Sequence, residues 1–445
     1  MQVVLISTYE MGRQPFGLAS PAAWLRREGF EVIAADLSRT PLEAAALAEA
    51  GLVGLFLPMH TATRLALRML PGLRAAAPGA HFCAYGLYAA INRELLLAAG
   101  IETVLGGEFE GELTELAQAL RAGNPPPEAA SAASLPRLAW QVPARDGLPP
   151  LERYARLQLG GGVSRVVGYT EASRGCKHRC RHCPIVPVYN GQFRVVAAEV
   201  VLADIRQQVE AGAEHITFGD PDFFNGPAHA LQIVEGLHRE FPALSYDVTI
   251  KVEHLLRQRA LLPQLRATGC ALITTAVESF DDRVLARLEK GHTAADIFAA
   301  LELTRGLGLA LNPTFVAFTP WTTVASFAAM CGAIAEHGLV ETVAPVQYGI
   351  RLLIPRGSRL LELEETAGWL GEFDDEALSF RWRAAEPEVE VLCRRAQAAV
   401  ARGSKERRGR AEIFHEVAGL VGGVRLPGGA VPRATVPYLD EPWFC

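Results

Sequence analysis

Short apolar segments alternate with helix-like segments twice along this chain, and this alternation constrains the fold more than any other feature. The first run occupies residues 1–120, where five stretches rich in branched residues are typical of strands: VVLIST, FEVIAADL, LVGLFLPMH, HFCAYGL and ETVLGGE. Strands that alternate with helices form a parallel sheet covered on both faces. We therefore predict an α/β domain of the doubly wound type, whose first helix begins at Ser20 and Pro21.

A second alternating run covers residues 161–356 and contains six strand-like stretches: VVGYTEAS, HITFGD, SYDVTIKV, LITTAVE, NPTFVAFT and VAPVQYGIRLLIP. Helical patterns, such as residues 199–211, separate most of them. Six βα units without a clear seventh and eighth predict a partial (βα)6 barrel, with its chemistry at the C-terminal strand ends. Residues 121–160, rich in Pro and Ala, are predicted to be a semi-rigid linker. Residues 357–445 are predicted to be a mostly helical C-terminal region with an extended tail.

The composition limits the partners that such a chain would have. Of 445 residues, 50% are hydrophobic and 21% are charged, with a formal net charge of −6. These values are typical of a globular protein and make no case for nucleic acid or a membrane as partner. The start MQVVLIST lacks the basic and small-residue features of a signal peptide. Five of the eight cysteines are scattered, which predicts free thiols in a reducing cytoplasm.

The stretch EASRGCKHRCRHCPIVPVYNG holds the other three cysteines, Cys176, Cys180 and Cys183, spaced C-x3-C-x2-C after the first strand of the second run. Two kinds of site suit this pattern. Three thiolates together with His178 or His182 could bind a structural zinc ion tetrahedrally. Alternatively, three thiolates could hold a four-iron cluster and leave one iron open for a substrate or cofactor.

A C-x3-C-x2-C loop after the first strand of a (βα)6 run resembles the radical S-adenosylmethionine (SAM) enzymes. The resemblance implies a [4Fe-4S] cluster on the three cysteines, SAM chelating the open iron, and reductive cleavage of SAM to a 5′-deoxyadenosyl radical. It also implies an electron donor of the flavodoxin or ferredoxin type. LARLEKGHT, residues 285–293, is similar to the family as well. Four basic residues surround the cysteines and are expected to offset the cluster's negative charge: Arg174, Lys177, Arg179 and Arg181.

The same resemblance implies SAM contacts at the strand ends. The family usually has an aromatic residue before the third cysteine, where this chain has His182, and FGDPDFFNG is similar to the second-strand motif that meets the SAM amino group. The expected SAM contacts are His182, Asp220, Asp222, Glu253, Glu278, Ser279 and Arg351. An ordinary strand-end ion pair is the alternative for each of them.

A doubly wound domain joined by a Pro-rich linker to such a barrel resembles the cobalamin-dependent branch of the superfamily, and this resemblance covers nearly the whole chain. It implies that cobalamin lies across the carboxyl edge of the first sheet. The chain departs from the branch's wider relatives because the loop STYEMGRQPFG lacks the His of Asp-x-His-x-x-Gly, which ligates cobalt. A degenerate domain that only serves as a docking surface is the alternative. The expected cobalamin contacts are Tyr9, Gly12, Thr61, Tyr85, Gly86, Gly106, Gly107 and Glu108.

The resemblance implies an enzyme that functionalises an unactivated carbon of a small-molecule or peptide substrate, with cobalamin-dependent methyl transfer as the leading activity. Radical cyclisation, rearrangement or transfer of another SAM fragment without methylation is one alternative. A non-catalytic zinc or iron–sulfur binding module is another. The end of the sequence, PYLDEPWFC, also resembles the start of a Cys-Sec-Ala-Glu-Pro or Cys-Cys-Ala-Glu-Pro tail found in a group of radical SAM proteins, with Cys445 as its first residue. Chance is the alternative for that cysteine.

Overall fold

The N-terminal domain is a five-stranded parallel sheet with helices on both faces. The computed structural model describes residues 1–127, 133–422 and 437–440. The elements of the domain are β1 (Gln2–Ser7), α1 (Phe16–Arg27), β2 (Glu31–Asp36), α2 (Ala44–Ala48), β3 (Ala50–Phe56), α3 (His60–Ala76), β4 (His81–Tyr85), α4 (Leu87–Ile91), α5 (Arg93–Ala98), β5 (Thr103–Leu105) and α6 (Glu110–Arg121). The strand order is β2-β1-β3-β4-β5, and every neighbouring pair is parallel. The predicted doubly wound fold is confirmed.

Central strand β1 explains why this sheet needs cover on both faces. Val4 and Ile6 pack into one apolar cluster with residues of α3, whereas Val3 and Leu5 pack into a second cluster with residues of α1 and α6. Successive side chains of a strand point to opposite faces, so a continuous apolar run fits a strand that is buried on both.

The first helix begins at Phe16, so the prediction of a start at Ser20 and Pro21 is wrong. Pro21 lies inside the helix, where it has no N–H to donate to the carbonyl oxygen of Gly17. The hydroxyl of Tyr85 in β4 donates to that oxygen at 2.9 Å. A helix interior tolerates this proline because another donor satisfies the carbonyl that it leaves free.

The second domain and the C-terminal region follow in the chain. Their strands and helices are β6 (Arg156–Gly160), β7 (Val163–Thr170), β8 (Ser173–Gly175), α7 (Val186–Tyr189), β9 (Phe193–Val195), α8 (Ala198–Glu210), β10 (His215–Phe218), α9 (Pro227–Glu240), β11 (Ser245–Thr249), α10 (Val252–Arg257), α11 (Leu262–Ala267), β12 (Cys270–Glu278), α12 (Asp282–Arg287), α13 (Ala294–Gly306), β13 (Ala310–Phe315), α14 (Val324–Glu336), β14 (Leu370–Asp374), β15 (Ser379–Trp382), α15 (Pro387–Lys405), α16 (Arg410–Gly419) and β16 (Tyr438–Leu439). Short 3-10 helices cover Leu151–Arg153, Phe223–Asn225, Arg259–Leu261, Pro345–Gly349, Arg359–Glu362 and Glu364–Gly368.

The second sheet has the order β13-β12-β11-β10-β7-β6-β16, and its five strands from β7 to β13 run parallel as a partial barrel. Strand β6 extends the sheet antiparallel to β7, within the segment that we predicted as linker. Three consecutive glycines at 160–162 connect the two strands, and this turn pattern could have indicated the hairpin.

The sixth predicted strand, VAPVQYGIRLLIP, is much shorter than its apolar pattern suggests. Its first half forms the 3-10 helix Pro345–Gly349. Its second half makes a single bridge, because the Phe318 amide donates to Ile350 and the Leu352 amide donates back to Phe318. A proline and a glycine interrupt the stretch, so the chain cannot stay extended along it.

The C-terminal region contains the predicted helices as α15 and α16, together with an unpredicted antiparallel hairpin of β14 and β15. Strand β16 pairs with β6, and the hypothesis on Cys445 lies outside the described residues. None of the helices in the described part of the chain is both long enough and apolar enough to cross a lipid bilayer.

Candidate functional site

The three cysteines lie in a loop that follows β7, at the carboxyl end of the barrel strands. The short hairpin of β8 and β9 fixes the start of this loop, because the Cys176 amide donates to the Gln192 carbonyl at 3.0 Å. Gly175 has a φ of +78°, and a Cβ there would lie 2.4 Å from the Tyr189 ring. Only glycine therefore fits directly before the first cysteine.

Asn225 holds the cysteine loop from the next strand end, and the sequence did not single it out. Its Oδ1 atom accepts from the Lys177 amide at 3.1 Å, and its Nδ2 atom donates to the Gly175 carbonyl at 3.4 Å. The Asn225 side chain is fully buried. One amide therefore satisfies both a donor and an acceptor of the loop and fixes the position of Cys176.

Two buried lysines face the thiols. Lys251 Nζ lies 3.8 Å from Cys180 Sγ. Burial lowers the pKa of Lys290, but Glu278 and the charges of Cys180 and Cys183 outweigh it and raise that pKa overall. Burial raises the pKa of Cys183 to about 12. The Cys183 thiol therefore stays protonated until a metal displaces its proton, and the buried lysines favour the thiolate that results.

The basic residues predicted to face the cluster do not all do so. The Arg174 guanidinium points to the N-terminal domain, where it donates to Glu110 at 2.8 and 3.0 Å and to Glu171 at 2.6 Å. The expectation that Arg174 offsets the cluster charge is wrong, because these carboxylates take up its charge. Lys251 and Lys290 face the cysteine thiols instead. Lys290 belongs to LARLEKGHT, whose likeness to the family was the one available indication of a role.

His182 and Glu278, both predicted SAM contacts, meet at the end of β12, and SAM binding by them stays a prediction. Glu278 has a φ of +68°, which is strained for a residue other than glycine. Its Oε1 atom lies 3.1 Å from Lys290 Nζ and 3.2 Å from His182 Nε2. Burial raises the pKa of Glu278, but the Lys290 charge and the hydrogen bond with His182 lower it well below its usual value. Ser279 follows directly, and its Oγ atom accepts from the Asp281 amide at 3.0 Å.

Asp220 and Arg351 are engaged with the protein's own groups. The Asp220 carboxylate accepts from the Ala172 amide at 2.9 Å and from the Ser173 hydroxyl at 2.5 Å, so it shapes the entry to the cysteine loop. Burial raises the pKa of Asp220 to about 7. Arg351 pairs with Glu390 of α15 at 2.9 Å. SAM binding by either side chain stays a prediction.

Asp222 lies between two histidines. Its Oδ2 atom is 2.7 Å from His254 Nδ1 and 3.5 Å from His178 Nε2. Glu253 Oε2 lies 3.6 Å from the other ring nitrogen of His178, Nδ1. Burial raises the pKa of Asp222, but its contacts with the two histidines lower it overall. The predicted SAM contacts Asp222 and Glu253 are thus neighbours, joined by a histidine of the cysteine loop.

The donor geometry bears on the zinc alternative. Within the described residues, one group of three potential ligands has all its donor atoms within 4.8 Å of one another, and it consists of His178, Asp222 and His254. The three cysteine sulfur atoms do not form such a group, whereas a single tetrahedral zinc would bring them to about 3.8 Å. Their wider separation suits a cluster of several metal ions better than one zinc ion.

The predicted cobalamin contacts lie at the carboxyl edge of the first sheet, and several touch the protein itself. A Cβ on Gly107, whose φ is +69°, would lie 2.1 Å from the carbonyl oxygen of Ser134. The Glu108 amide donates to the same oxygen at 2.8 Å. The Glu108 carboxylate accepts from the Tyr189 hydroxyl at 2.9 Å. The linker residue Ser134 therefore already explains why glycine stands at position 107.

The remaining predicted contacts lie at the same edge. Tyr9 and Gly12 follow β1, Thr61 is at the start of α3, and Gly86 and Gly106 follow β4 and β5. The Gly12 carbonyl accepts from the Ala155 amide at 2.8 Å. Cobalamin binding by these residues stays a prediction.

The cysteine loop and the first sheet's carboxyl edge are in direct contact. Val188 and Tyr189 of α7 belong to the same apolar cluster as the core of the N-terminal domain. Arg174 lies 4.7 Å from the Trp140 ring of the linker and 5.0 Å from the Phe109 ring of the N-terminal domain. The N-terminal domain and the linker therefore pack against the barrel next to the cysteine loop.

Comparison with known proteins agrees with this architecture. Residues 170–319 match the family model described as the Radical SAM superfamily. The chain is 27% identical over 236 residues to a hopanoid C-3 methylase of Methylococcus capsulatus, an alignment that covers 50% of this chain and 43% of that methylase. The chain thus spans less than half the length of that curated relative.

Solved structures match over most of the chain. The cobalamin-dependent SAM radical enzyme OxsB, with aqua-cobalamin bound, superposes with a TM-score of 0.69 and 14% identity over 91% of this chain and 67% of its own. The radical SAM methyltransferase TsrM from Kitasatospora setae gives a TM-score of 0.63 and 16% identity over 96% of both chains. At these identities the likeness shows the fold. The barrel of this chain is a radical SAM domain, and the chain as a whole has the fold seen in cobalamin-dependent radical SAM enzymes.

Proposed function

We propose that this protein cleaves SAM reductively with a [4Fe-4S] cluster bound by Cys176, Cys180 and Cys183 and functionalises an unactivated carbon of a small-molecule or peptide substrate. The observation that carries the proposal is the C-x3-C-x2-C loop at the strand ends of a radical SAM domain. The donor set fits the cluster, because three separated thiols face two buried lysines. When bound, the cluster and SAM supply a radical able to take hydrogen from such a carbon.

The chain's own residues orient and enclose this chemistry. We assign Gly175 and Asn225 to fixing the first cysteine, and Lys251 and Lys290 to offsetting the negative charge of the thiolates. At the end of β12, Glu278 and the following Ser279 lie beside His182 of the cysteine loop. We expect the adenosine and methionine groups of SAM there. A small electron-transfer protein of the flavodoxin or ferredoxin type is the expected reductant, in the cytoplasm.

We further propose cobalamin-dependent methyl transfer as the specific reaction. Its support is the fold shared with cobalamin-dependent enzymes and the sequence likeness to a methylase. The loop between Tyr9 and Gly17 offers no histidine to cobalt, so cobalamin would bind there without a ligand from this loop.

One observation favours a radical reaction without methyl transfer. Ser134 of the linker occupies the space next to Gly107, which is one of the expected cobalamin contacts.

Anaerobic purification and reconstitution test both levels of the proposal. A brown protein with four irons per chain that releases 5′-deoxyadenosine from SAM supports the radical SAM activity. Cys176→Ala should abolish both properties, whereas Cys393→Ala, which changes a buried thiol of α15, should keep both. A colourless protein that binds zinc would contradict the proposal. Retention of cobalamin after gel filtration, with labelled methyl groups moving from SAM to a substrate, separates methyl transfer from the other radical reactions.

A further inference from the structure

A group of side chains beside the cysteine loop has the composition and the geometry of a mononuclear metal site. His178 comes from the loop after β7, Asp222 from the loop after β10, and His254 from α10 after β11. Three consecutive strand ends of the barrel therefore direct one ligand each to a common point. That edge is where barrel enzymes place reactive groups.

The three donor atoms of this group are buried and lack hydrogen-bond partners. His178 Nε2, His254 Nδ1 and Asp222 Oδ2 are inaccessible to water, and none of them makes a hydrogen bond of acceptable geometry. The side chain of Asp222 is 0% exposed and that of His254 is 8% exposed. The 2.7 Å contact between Asp222 and His254 is an approach of two atoms without a suitably directed ring N–H. Buried polar atoms are rarely left in this state unless another group binds them.

The spacing of these atoms suits a bound ion. Asp222 Oδ2 lies 2.7 and 3.5 Å from the two ring nitrogens, and all three atoms are within 4.8 Å of one another. Ligands at about 2.1 Å from one ion would be separated by about 3.0–3.4 Å in octahedral or tetrahedral geometry. Small side-chain adjustments therefore suffice to reach normal metal–ligand distances.

Glu253 completes the pattern from outside. Its Oε2 atom lies 3.6 Å from His178 Nδ1, whereas the other ring nitrogen of His178, Nε2, faces Asp222. Histidine ligands usually present their second nitrogen to a carboxylate or carbonyl in this way.

We propose that His178, Asp222 and His254 bind one divalent first-row metal ion such as Zn²⁺ or Fe²⁺, separate from the iron–sulfur cluster. Two imidazoles and one carboxylate are the donors that these ions prefer. Three protein ligands leave coordination positions open, as in catalytic metal sites, so the ion is available to an oxygen of a substrate or to water. This proposal does not rest on the proposed function, because it concerns ion binding alone.

Metal analysis of the full-length chain tests the site. Cluster-loaded protein is mixed anaerobically with excess Zn²⁺ and passed through a gel-filtration column, and zinc and iron are counted separately. We expect one zinc per chain in the wild type and in His415→Ala, which changes an exposed histidine of α16. The double variant His178→Ala, His254→Ala should lose the zinc. Glu253→Gln should weaken zinc binding by roughly 10–100-fold.

A second arm removes the cluster. In a Cys176→Ala, Cys180→Ala, Cys183→Ala chain, Co²⁺ should bind with weak visible bands typical of nitrogen and oxygen ligands and without a thiolate charge-transfer band. Asp222→Asn should weaken this binding yet preserve folding, because Asn can still accept the Phe224 amide hydrogen bond that Asp222 Oδ1 accepts at 3.2 Å. Far-UV circular dichroism checks the fold of every variant.

Two results would overturn the proposal. One is zinc and cobalt binding in the wild type no greater than in the double-histidine variant. The other is a pair of results: the wild type binds no metal ion, and cluster-loaded Asp222→Asn loses affinity for SAM. Together these would assign the three unpaired donor atoms to the SAM amino group. The first count needs neither SAM nor turnover, so failure of the metal site and failure of the radical SAM activity are distinguishable.

Discussion

Replacing Arg174 with Met should destabilise the fold strongly and in a pH-dependent way. The guanidinium is 10% exposed and donates to Glu110 and Glu171 at 2.6–3.0 Å, with Glu108 at 3.6 Å. Met keeps most of the apolar stem and removes the charge, so packing against the Trp140 ring is largely retained. The variant therefore isolates the loss of a buried cation among three carboxylates.

The expected cost follows from these contacts. Charge-assisted hydrogen bonds contribute about 1.5–3 kcal/mol each, so the three closest bonds set an upper limit of roughly 4.5–9 kcal/mol. The carboxylates that lose Arg174 as a partner can take up protons, which limits this loss of stability. Removal of one partner from a buried ion pair typically costs about 3–5 kcal/mol. We expect the latter range at pH 8.

The pH dependence has a definite sign. Burial raises the pKa of Glu108 from its ordinary 4.5 to about 7, and the attraction of Arg174 opposes this rise. Without Arg174, the pKa of Glu108 in the folded state rises further. A carboxyl group whose pKa is raised by folding stabilises the fold at pH values below its pKa in the unfolded state. This stabilisation is lost as the pH increases through its pKa in the folded state. The difference in the free energy of unfolding between wild type and Arg174→Met should therefore grow between pH 5 and pH 8.

Urea unfolding at pH 5, 6.5 and 8, followed by tryptophan fluorescence, measures this effect. Arg206→Met is the matched control, because Arg206 makes two comparable hydrogen bonds to Glu240, at 2.7 and 2.8 Å, on the surface. Water screens that pair, so its loss should be barely detectable at any pH. Equal losses in the two variants, or a deficit of Arg174→Met that does not grow with pH, would refute the reasoning.

Three further predictions concern single positions. Burial raises the pKa of Glu10 to about 8, so its folded state loses stability as the pH rises from about 4.5 through 8, and Glu10→Gln should raise the melting temperature relative to wild type at pH 9 more than at pH 5. Gly107→Ala should lower the free energy of unfolding by about 1–3 kcal/mol more than Gly123→Ala in urea titrations, because both have φ near +70° but only the former meets a backbone oxygen, at 2.1 Å. Lys290→Met should lower the iron retained per chain after reconstitution, whereas Met at the exposed Lys405 of α15 should not; equal retention would show that the buried ammonium group does not favour the thiolates.

The fold was predictable to the extent that burial leaves a pattern in the sequence. Strand β1 is apolar without interruption because both of its faces are covered, and such runs are recognisable. Strand β6 was missed because it is short, half-polar and directly follows a Pro-rich segment. The stretch around Pro345 has an apolar pattern that predicts a strand, but the same pattern is equally compatible with an irregular buried segment, which is what the structure has there.

The site was predictable only where its residues lie close together in the sequence. Cys176, Cys180 and Cys183 form a local motif, so their chemistry could be inferred from their spacing. Lys290 and Asn225 come from other strand ends, and the sequence does not indicate which polar side chains at those ends point toward the cysteines. Only the parallel order of the barrel strands, which brings their carboxyl ends to one edge, makes them neighbours.

Arg174 shows why charge near a motif is a poor guide to its partner. A guanidinium two residues before the first cysteine was expected to offset the cluster, yet the Arg174 side chain leaves β8 toward the N-terminal domain. There it meets Glu108 and Glu110, which belong to the last strand end and the last helix of the N-terminal sheet. A buried charge must be paired where it lies, so this cation fixes how the first domain sits against the cysteine loop. The contact between the two domains therefore includes ion pairs of Arg174 with Glu108 and Glu110 that neither domain could form by itself.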